Sequence, residues 1–198
     1  MATIDKKLIQ KLRRITGLGM MDCKKALEEA GSDLEKAVVM LRKKGAAVAA
    51  KRSDKETTEG VIHSYIHPGS KMGVLVELNC ETDFVANTDD VKKFAKDLAL
   101  HIAAMRPLYL NPEDVDPKFV EHEKAIMKEQ LADSGKPEKI LETIIQGKLR
   151  KLYSDICLTK QAFVKNDQFT IEDALKELIG KTGENIKIKR FTRFEIGV

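Results

Sequence analysis

The sequence is poor in the residues from which disulfide, redox and metal sites are usually built. Its 198 residues include only three cysteines and four histidines. Cys23, Cys80 and Cys157 are far apart and odd in number, which excludes a disulfide framework and a Cys-x-x-Cys site. Because unpaired cysteines are typical of a reducing compartment, we expect a cytoplasmic protein.

Long apolar runs are also missing. The longest stretch without a charged residue is 60–70, whereas a membrane-spanning helix needs about 20 residues. Asp5, Lys6 and Lys7 stand where a secretory signal would need an apolar run. We therefore expect a soluble chain with no secretory signal and no membrane partner.

Motifs for nucleotide binding and catalysis are absent as well. The Gly-x-Gly at 17–19 lacks the third glycine and the preceding strand of a dinucleotide loop, and no GxxxxGK[ST] occurs. His63 and His67 would lie on one face of a strand but about 13 Å apart, too far to chelate one metal ion. His101, within an apolar helical pattern, is typical of a packed or solvated histidine. The sequence thus predicts no enzyme, no catalytic residue, no cofactor, no metal site and no direct nucleotide binding.

Charge is distributed unevenly along the chain. Residues 1–52 contain 13 Lys and Arg against 6 Asp and Glu, a charge of +7, whereas residues 53–198 carry −3. This asymmetry separates a basic N-terminal piece from a mildly acidic remainder. A solvated, lysine-rich helical module would explain the basic piece, and binding of nucleic acid or of an acidic partner is the alternative.

The first 45 residues predict three short helices. Apolar residues recur every three or four positions, and glycines separate the helical runs. Three helices joined by a Gly-x-Gly-Met loop resemble a ubiquitin-associated module, which is too small to be stable by itself. Residues 46–59 lack apolar periodicity and predict a linker that is partly helical at its alanine-rich start.

Residues 60–198 predict an α+β core and dimerisation domain. Alternating runs at 61–67 and 74–80 surround a Pro-Gly turn and indicate an antiparallel hairpin. Helical patterns then begin near 89, 116, 137 and 170, and a final strand covers 186–196 with a slip in its alternation at Arg190. Helices packed with an antiparallel sheet define the α+β class.

Residues 79–87 connect a predicted strand to a predicted helix and have an unusual composition. The segment is mostly polar but carries Phe84 in its middle. Phe84 and Val85 could pack this loop onto the following helix, with Asp83 capping a turn. Alternatively, Phe84 is presented to a partner while Asp83 engages the partner's polar edge, since aromatic side chains are common binding anchors.

Three segments carry a resemblance to a known family. Residues 20–27 (MMDCKKAL), 79–85 (NCETDFV) and 191–195 (FTRFE) resemble, in family order, the signature segments of translation elongation factor Ts. The resemblance implies a guanine nucleotide exchange factor for the GTPase elongation factor Tu, in its GDP-bound and nucleotide-free forms. Such a factor promotes GDP release by disturbing the magnesium and phosphate site, so that GTP can rebind during polypeptide elongation.

The resemblance also implies residue roles in the central signature. Thr82, Asp83, Phe84 and Val85 match the residues that push into the GTPase near its magnesium ion. They would form the main partner-binding site of this chain.

Other implied partner contacts lie outside that signature. Arg13, Met20 and Met21 match positions where the N-terminal module grips the nucleotide domain of the GTPase, although one methionine could instead fill the bundle core. His67 resembles a partner-contacting histidine that longer family members carry in a second core half.

The chain resembles a short form of the family with a single core half. Longer members have two related halves and a coiled-coil insertion. We therefore predict a homodimer in which two sheets replace the missing half, with the strand at 186–196 pairing with its twin if it lies at a sheet edge.

A ribosome- or RNA-binding protein acting through the basic N-terminal module is the alternative function. The sequence lacks the interleaved aromatics and the RNP-like motif that such binding commonly uses. The cations that favour this alternative are Lys24, Lys25, Arg42, Lys43 and Lys44.

Overall fold

The computed structural model describes residues 4–131 and 137–197 and combines helices with antiparallel strands. The helices are α1 (Lys6–Thr16), α2 (Met20–Glu29), α3 (Leu34–Arg52), α4 (Asp83–Ala86), α5 (Asp89–Met105), α6 (Pro117–Leu131), α7 (Glu138–Ile156) and α8 (Ile171–Thr182). The strands are β1 (Glu59–Ile66), β2 (Met72–Cys80), β3 (Ala162–Phe163), β4 (Asn166–Thr170) and β5 (Ile186–Glu195). The α+β class is confirmed. No helix in the described ranges is both long enough and apolar enough to cross a membrane.

The main sheet has the strand order β1-β2-β5. The His67 N–H donates to the Met72 carbonyl at 2.9 Å, which closes the predicted β1–β2 hairpin. The Ile196 N–H donates to the Lys71 carbonyl at 2.9 Å, so the end of β5 lies beside the start of β2. Within the described residues, β5 is therefore an edge strand. A second small sheet, β3–β4, was not predicted from the sequence.

The alternation of β5 slips where the sequence predicted. Ile186 and Ile188 are buried, Lys189 and Arg190 are both exposed, and Phe191 begins a new alternating run. A slip of one residue moves every later side chain to the opposite face of the strand.

Helices α1, α2 and α3 form the predicted three-helix bundle. Asp5 caps α1 by accepting a hydrogen bond from the Lys7 N–H at 2.9 Å. Gly17 ends α1 with a φ of 67°, a left-handed conformation that glycine adopts without strain. The buried core of the bundle consists of Ile9, Leu12, Cys23, Ala26, Leu27, Ala37 and Leu41.

Helix α3 does not end at Gly45, as the sequence had suggested, but continues to Arg52. Residues 46–52 are the alanine-rich start of the predicted linker, which was expected to be partly helical; they are helical because alanine is the strongest helix former and four of them are alanines. Helix α8 passes close to α3 at Gly45, and this approach requires a glycine at position 180. A Cβ atom built on Gly180 would lie only 2.6 Å from the Cα atom of Gly45.

Two compact units divide the chain, and both are discontinuous in sequence. The first contains the chain up to Val61 together with Leu78–Lys92 and Asp173–Lys187. The second contains Ile62–Glu77, Lys93–Glu172 and the chain from Ile188 onward. The N-terminal helices and residues 82–85 therefore belong to one unit, although the sequence alone had separated 1–45 from 60–198.

The second unit has a hydrophobic cluster of its own. Helices α6 and α7 pack against each other. Residues just before α6 and just after α7 complete the cluster. The buried members are Val115, Val120, Met127, Ile145, Leu149 and Cys157. This cluster stabilises α7, and it contains none of the predicted partner-binding residues.

The glycine crossing between α3 and α8 gives a matched stability test. We expect Gly180→Ala to lower the free energy of unfolding by about 1–3 kcal/mol, because the new methyl group would meet backbone. Gly45→Ala should be neutral or stabilising by up to about 1 kcal/mol, since its Cβ would lie 3.5 Å from the Lys176 carbonyl oxygen, an ordinary contact, and alanine favours helix. Urea denaturation measures both, and equal effects of the two variants would contradict this packing.

Candidate functional site

Residues 82–85 form a short turn between β2 and α5, here called the 82–85 turn. Thr82 is extended, with φ −129° and ψ 154°, and caps the single helical turn α4. Its hydroxyl accepts a hydrogen bond from the Val85 N–H at 3.4 Å, and Ala86 is buried beneath. Thr82, and not Asp83, thus caps this helical turn and satisfies a backbone donor that the abrupt change from strand to helix exposes.

Phe84 points outward from this turn. Its side chain is 81% exposed, the highest exposure among the large hydrophobic residues of the described chain. Asp83 is also exposed, and Val85 is half-buried. The structure therefore rejects the interpretation that Phe84 packs the loop onto its own helix. An exposed phenyl ring can recover about 1.5–3 kcal/mol when a partner buries it.

Glu184 binds the first residue of the 82–85 turn through two hydrogen bonds. Its Oε2 accepts from the Thr82 N–H at 3.1 Å, and its Oε1 accepts from the Thr82 hydroxyl at 2.8 Å. These residues are 102 positions apart, and no motif links them, so sequence reasoning missed Glu184.

A second polar cluster fixes the residue that precedes the turn. Glu81 accepts from the Arg52 guanidinium at 2.9 Å and from the Asn185 N–H at 2.6 Å. The Asn185 amide in turn donates to the carbonyls of Ser53 and Lys55, at 3.3 and 2.8 Å. The end of α3 and the residues after it are thereby tied to Glu81, just before the turn, and to Asn185, just after Glu184.

The N-terminal bundle presents a second exposed apolar patch. Met20 and Met21, at the start of α2, are 55% and 63% exposed, and Ile15 is 53% exposed. The alternative that a methionine fills the bundle core is therefore wrong, because that core is complete without either one. Arg13 is exposed in the last turn of α1. Ile15 is a member of this patch that no signature segment contains.

His67 lies in the loop that follows β1 and is exposed. Its Nδ1 atom lies 2.9 Å from the Tyr65 hydroxyl, and the two rings meet edge to face. Tyr65 therefore orients the imidazole from within the second unit.

The third signature segment, 191–195, forms the second half of β5. Arg193 and Arg106 both pair with Glu195, at 2.6 and 3.1 Å. The hydrogen bond from Arg193 lowers the pKa of the Glu195 carboxyl below its usual value. Phe194, in contrast, is 69% exposed, so this segment combines a structural ion pair with an outward aromatic ring.

The outer face of the main sheet within the second unit, here called the outer sheet face, carries several exposed apolar side chains. Its exposed apolar side chains are Ile62, Ile66, Leu75 and Phe194. A groove of about 240 Å³ lies there, beside an ion pair between the Arg190 Nε and the Glu77 Oε2 at 2.6 Å. Exposed apolar patches of this kind mark interaction surfaces.

His101 is a packed histidine, one of the two roles expected for it. It is fully buried, and its Nδ1 accepts from the Val164 N–H at 3.2 Å. Its Nε2 therefore carries the proton and donates to the Gln161 side chain at 2.9 Å. Burial lowers the pKa of His101, although the Gln161 hydrogen bond opposes this shift, so the ring is neutral near pH 7.

The three cysteines are buried. Cys23, Cys80 and Cys157 are free and buried. Burial raises the pKa of Cys80 and of Cys157 to about 11, which keeps both thiols protonated and unreactive. Within the part of the chain that the structure describes, no cluster of three or more His, Cys, Asp or Glu residues could hold a metal ion.

Comparison with known proteins identifies the family. A family model described as Elongation factor TS matches residues 4–198. Elongation factor Ts of Thermosipho melanesiensis is 53% identical over 194 residues, covering 98% of this chain and 99% of that protein. Elongation factor Ts of Desulfosudis oleivorans is 51% identical over 197 residues, covering 100% of both chains. Elongation factor Ts of Carboxydothermus hydrogenoformans is 50% identical over 194 residues, covering 98% of this chain and 89% of that protein.

These matches first define the class, which is that of translation elongation factors. The chain belongs to the elongation factor Ts family. The resemblance carried by the three signature segments is thereby confirmed along the whole chain.

The exposure of Met21 predicts that it contributes little to folding. We expect Met21→Ala to change the free energy of unfolding by less than about 0.5 kcal/mol, as surface substitutions usually do. Leu27→Ala, in the fully buried core of the same bundle, should cost about 2–5 kcal/mol. Urea denaturation compares the two, and a cost for Met21→Ala close to that of Leu27→Ala would show that this methionine is packed.

Proposed function

We propose that this protein is a guanine nucleotide exchange factor for elongation factor Tu, acting in the cytoplasm and not as an enzyme. The observation that carries the proposal is the 81% exposure of Phe84 on a capped turn within a chain of the elongation factor Ts family. A free protein gains nothing from such a ring, whereas a complex can bury it.

The proposed mechanism places Phe84 in the GTPase near its magnesium ion. Thr82 and Val85 hold the turn from within the chain, and Asp83, which is exposed, engages the polar edge of the partner's site. Because magnesium neutralises phosphate charge, disturbing its ligands weakens the binding of GDP. GTP can then rebind.

The energetics require more than one contact. Accelerating GDP release about a thousandfold requires a barrier lower by about 4 kcal/mol. Burying one phenylalanine supplies about 1.5–3 kcal/mol, so Phe84 is insufficient by itself. Arg13, Met20 and Met21 supply the second contact, since they are exposed on the same unit as the 82–85 turn.

The two binding equilibria on the GTPase must be coupled. The factor lowers the affinity of the GTPase for nucleotide. Bound nucleotide must therefore lower the affinity of the GTPase for the factor by the same ratio. The factor therefore binds both the GDP-bound and the nucleotide-free GTPase, and the latter more tightly. It leaves the overall equilibrium between GDP and GTP unchanged.

We further propose that the protein is a homodimer formed through the outer sheet face. A second copy, related by a two-fold axis, would place this apolar face against itself, with Arg190 and Glu77 of each copy at the same groove. The edge position of β5 is continuous with this face and leaves that strand accessible to its twin. His67, exposed in the loop after β1, is proposed as a further partner contact of the assembled dimer.

Binding of RNA or of the ribosome through the basic N-terminal module has weaker support. Lys44 pairs with Asp22 at 2.6 Å and Lys24 pairs with Glu28 at 3.7 Å, so part of the positive charge is neutralised within the module. The exposed apolar residues of this module favour a protein partner. Binding of RNA with a steep dependence on salt would favour this alternative.

Phe84 gives the direct test of the proposed function. We expect Phe84→Ala to fold normally, because the ring contributes nothing to the core. The variant should lose most of its exchange activity, because the ring is the main group that inserts into the GTPase. Stopped-flow release of fluorescent GDP from elongation factor Tu measures the rate. Leu108→Ala removes a side chain of similar exposure, 71%, and should leave release unchanged. Unchanged release with Phe84→Ala would refute the mechanism.

Light scattering tests the dimer. We expect the wild-type chain to be a dimer at micromolar concentration and Phe194→Asp to be a monomer, because burying an unpaired charge in an interface is costly. Leu108→Asp introduces the same charge at a comparably exposed position outside the outer sheet face and should stay dimeric. A wild-type monomer that still exchanges nucleotide would overturn the dimer proposal.

A further inference from the structure

Glu184 satisfies both hydrogen-bond donors of Thr82. One carboxylate oxygen accepts the Thr82 N–H at 3.1 Å and the other accepts the Thr82 hydroxyl at 2.8 Å. Hydrogen bonds to an ionised group are about twice as strong as neutral ones. The carboxylate therefore binds both the backbone and the side chain of Thr82.

The hydrogen bond to Glu184 also fixes where the hydrogen of the Thr82 hydroxyl points. Because the hydroxyl hydrogen points at Glu184, an oxygen lone pair is left for the Val85 N–H, which donates to it at 3.4 Å. Phe84 lies between the two residues that this chain of hydrogen bonds connects. The backbone that carries the ring is thus fixed on both sides.

The other hydrogen bonds described for the 82–85 turn are local and reach no further than Thr88, whose hydroxyl donates to the Val85 carbonyl at 2.7 Å. Helix α4 has four residues, and an isolated helix of that length is not stable in water. Phe84 is 81% exposed and provides no packing, which leaves the buried Ala86 and the half-buried Val85 as the apolar anchors. The hydrogen bonds to Glu184 tie this turn to a part of the unit that is distant in sequence.

Glu184 belongs to a part of the unit that is itself held by hydrogen bonds and an ion pair. It follows α8, in which Lys181 pairs with Asp90 at 2.6 Å, and it precedes Asn185, which is 3% exposed. Asn185 is bonded to Glu81 and to the carbonyls of Ser53 and Lys55. Glu184 therefore links the end of α8 to the 82–85 turn.

We propose that Glu184 is a positioning residue for nucleotide exchange, which holds Phe84 in its binding orientation before the GTPase arrives. This inference rests on the proposed function. A preformed turn spares the complex the entropy of ordering it, so Glu184 contributes to the rate without touching the partner. Its effect must therefore pass through Thr82 and Phe84.

The test measures the release of fluorescent GDP from elongation factor Tu against the concentration of the factor. We expect Glu184→Ala to lower the maximal release rate about tenfold, the effect of about 1.4 kcal/mol. The half-saturating concentration should change by less than about threefold, because the N-terminal contacts that contribute to binding are intact. Wild-type maximal rates for Glu184→Ala would overturn the inference.

Two further variants show whether the effect passes through Phe84. In a Phe84→Ala background, Glu184→Ala should cause no further loss, since the ring that it positions is gone. An additional tenfold loss there would mean that Glu184 acts by another route and would overturn the inference. Glu172→Ala breaks a carboxylate–lysine pair in the second unit and should leave release unchanged.

Thr82 allows the same test from the other side if Glu184→Ala folds poorly. Thr82→Ser keeps the hydroxyl and should retain exchange within about threefold, whereas Thr82→Val loses it and should resemble Glu184→Ala. Equal rates for these two variants would overturn the inference. The proposed function fails separately, if Phe84→Ala itself leaves GDP release unchanged.

Discussion

The carboxylates of Glu81 and Glu184 connect three segments that are far apart in sequence. They bind the end of α3 through Arg52, the residues after α8 through Asn185, and the 82–85 turn through Thr82. Each carboxylate accepts more than one hydrogen bond, which compensates for partial burial of its charge. These ionic hydrogen bonds hold an exposed turn whose hydrophobic packing is confined to Val85 and Ala86.

The first unit combines a complete core with apolar groups that its own folding leaves unused. Leu12, Cys23 and Leu27 are fully buried in the bundle, whereas Met20 and Phe84 lie on the surface. Surface exposure of large apolar side chains is a cost that binding to a partner recovers. The close contact of Gly45 with Gly180 joins the long helix α3 to α8, so the bundle and the 82–85 turn are held by one continuous set of contacts.

Local patterns in the sequence were sufficient for most of the fold. Alternation predicted β1 and β2, apolar spacing predicted the helices of the bundle, and even the slip at Arg190 was recognisable. The end of α3 was misplaced because Gly45 is a helix breaker by propensity, whereas in the structure the alanine-rich residues that follow carry the helix past it. The β3–β4 hairpin was missed because its strands are too short to show a period.

The sequence by itself determined the family and the identity of the exposed turn, because signature residues such as Asp83 and Phe84 are adjacent in the chain. Tertiary structure alone decided that Phe84 is exposed and that Met20 and Met21 lie outside the core, since exposure depends on what the rest of the chain covers. It also decided the partners of Thr82. Glu184 is 102 residues away, and a hydrogen bond between groups so distant leaves no periodic or local signal in a sequence.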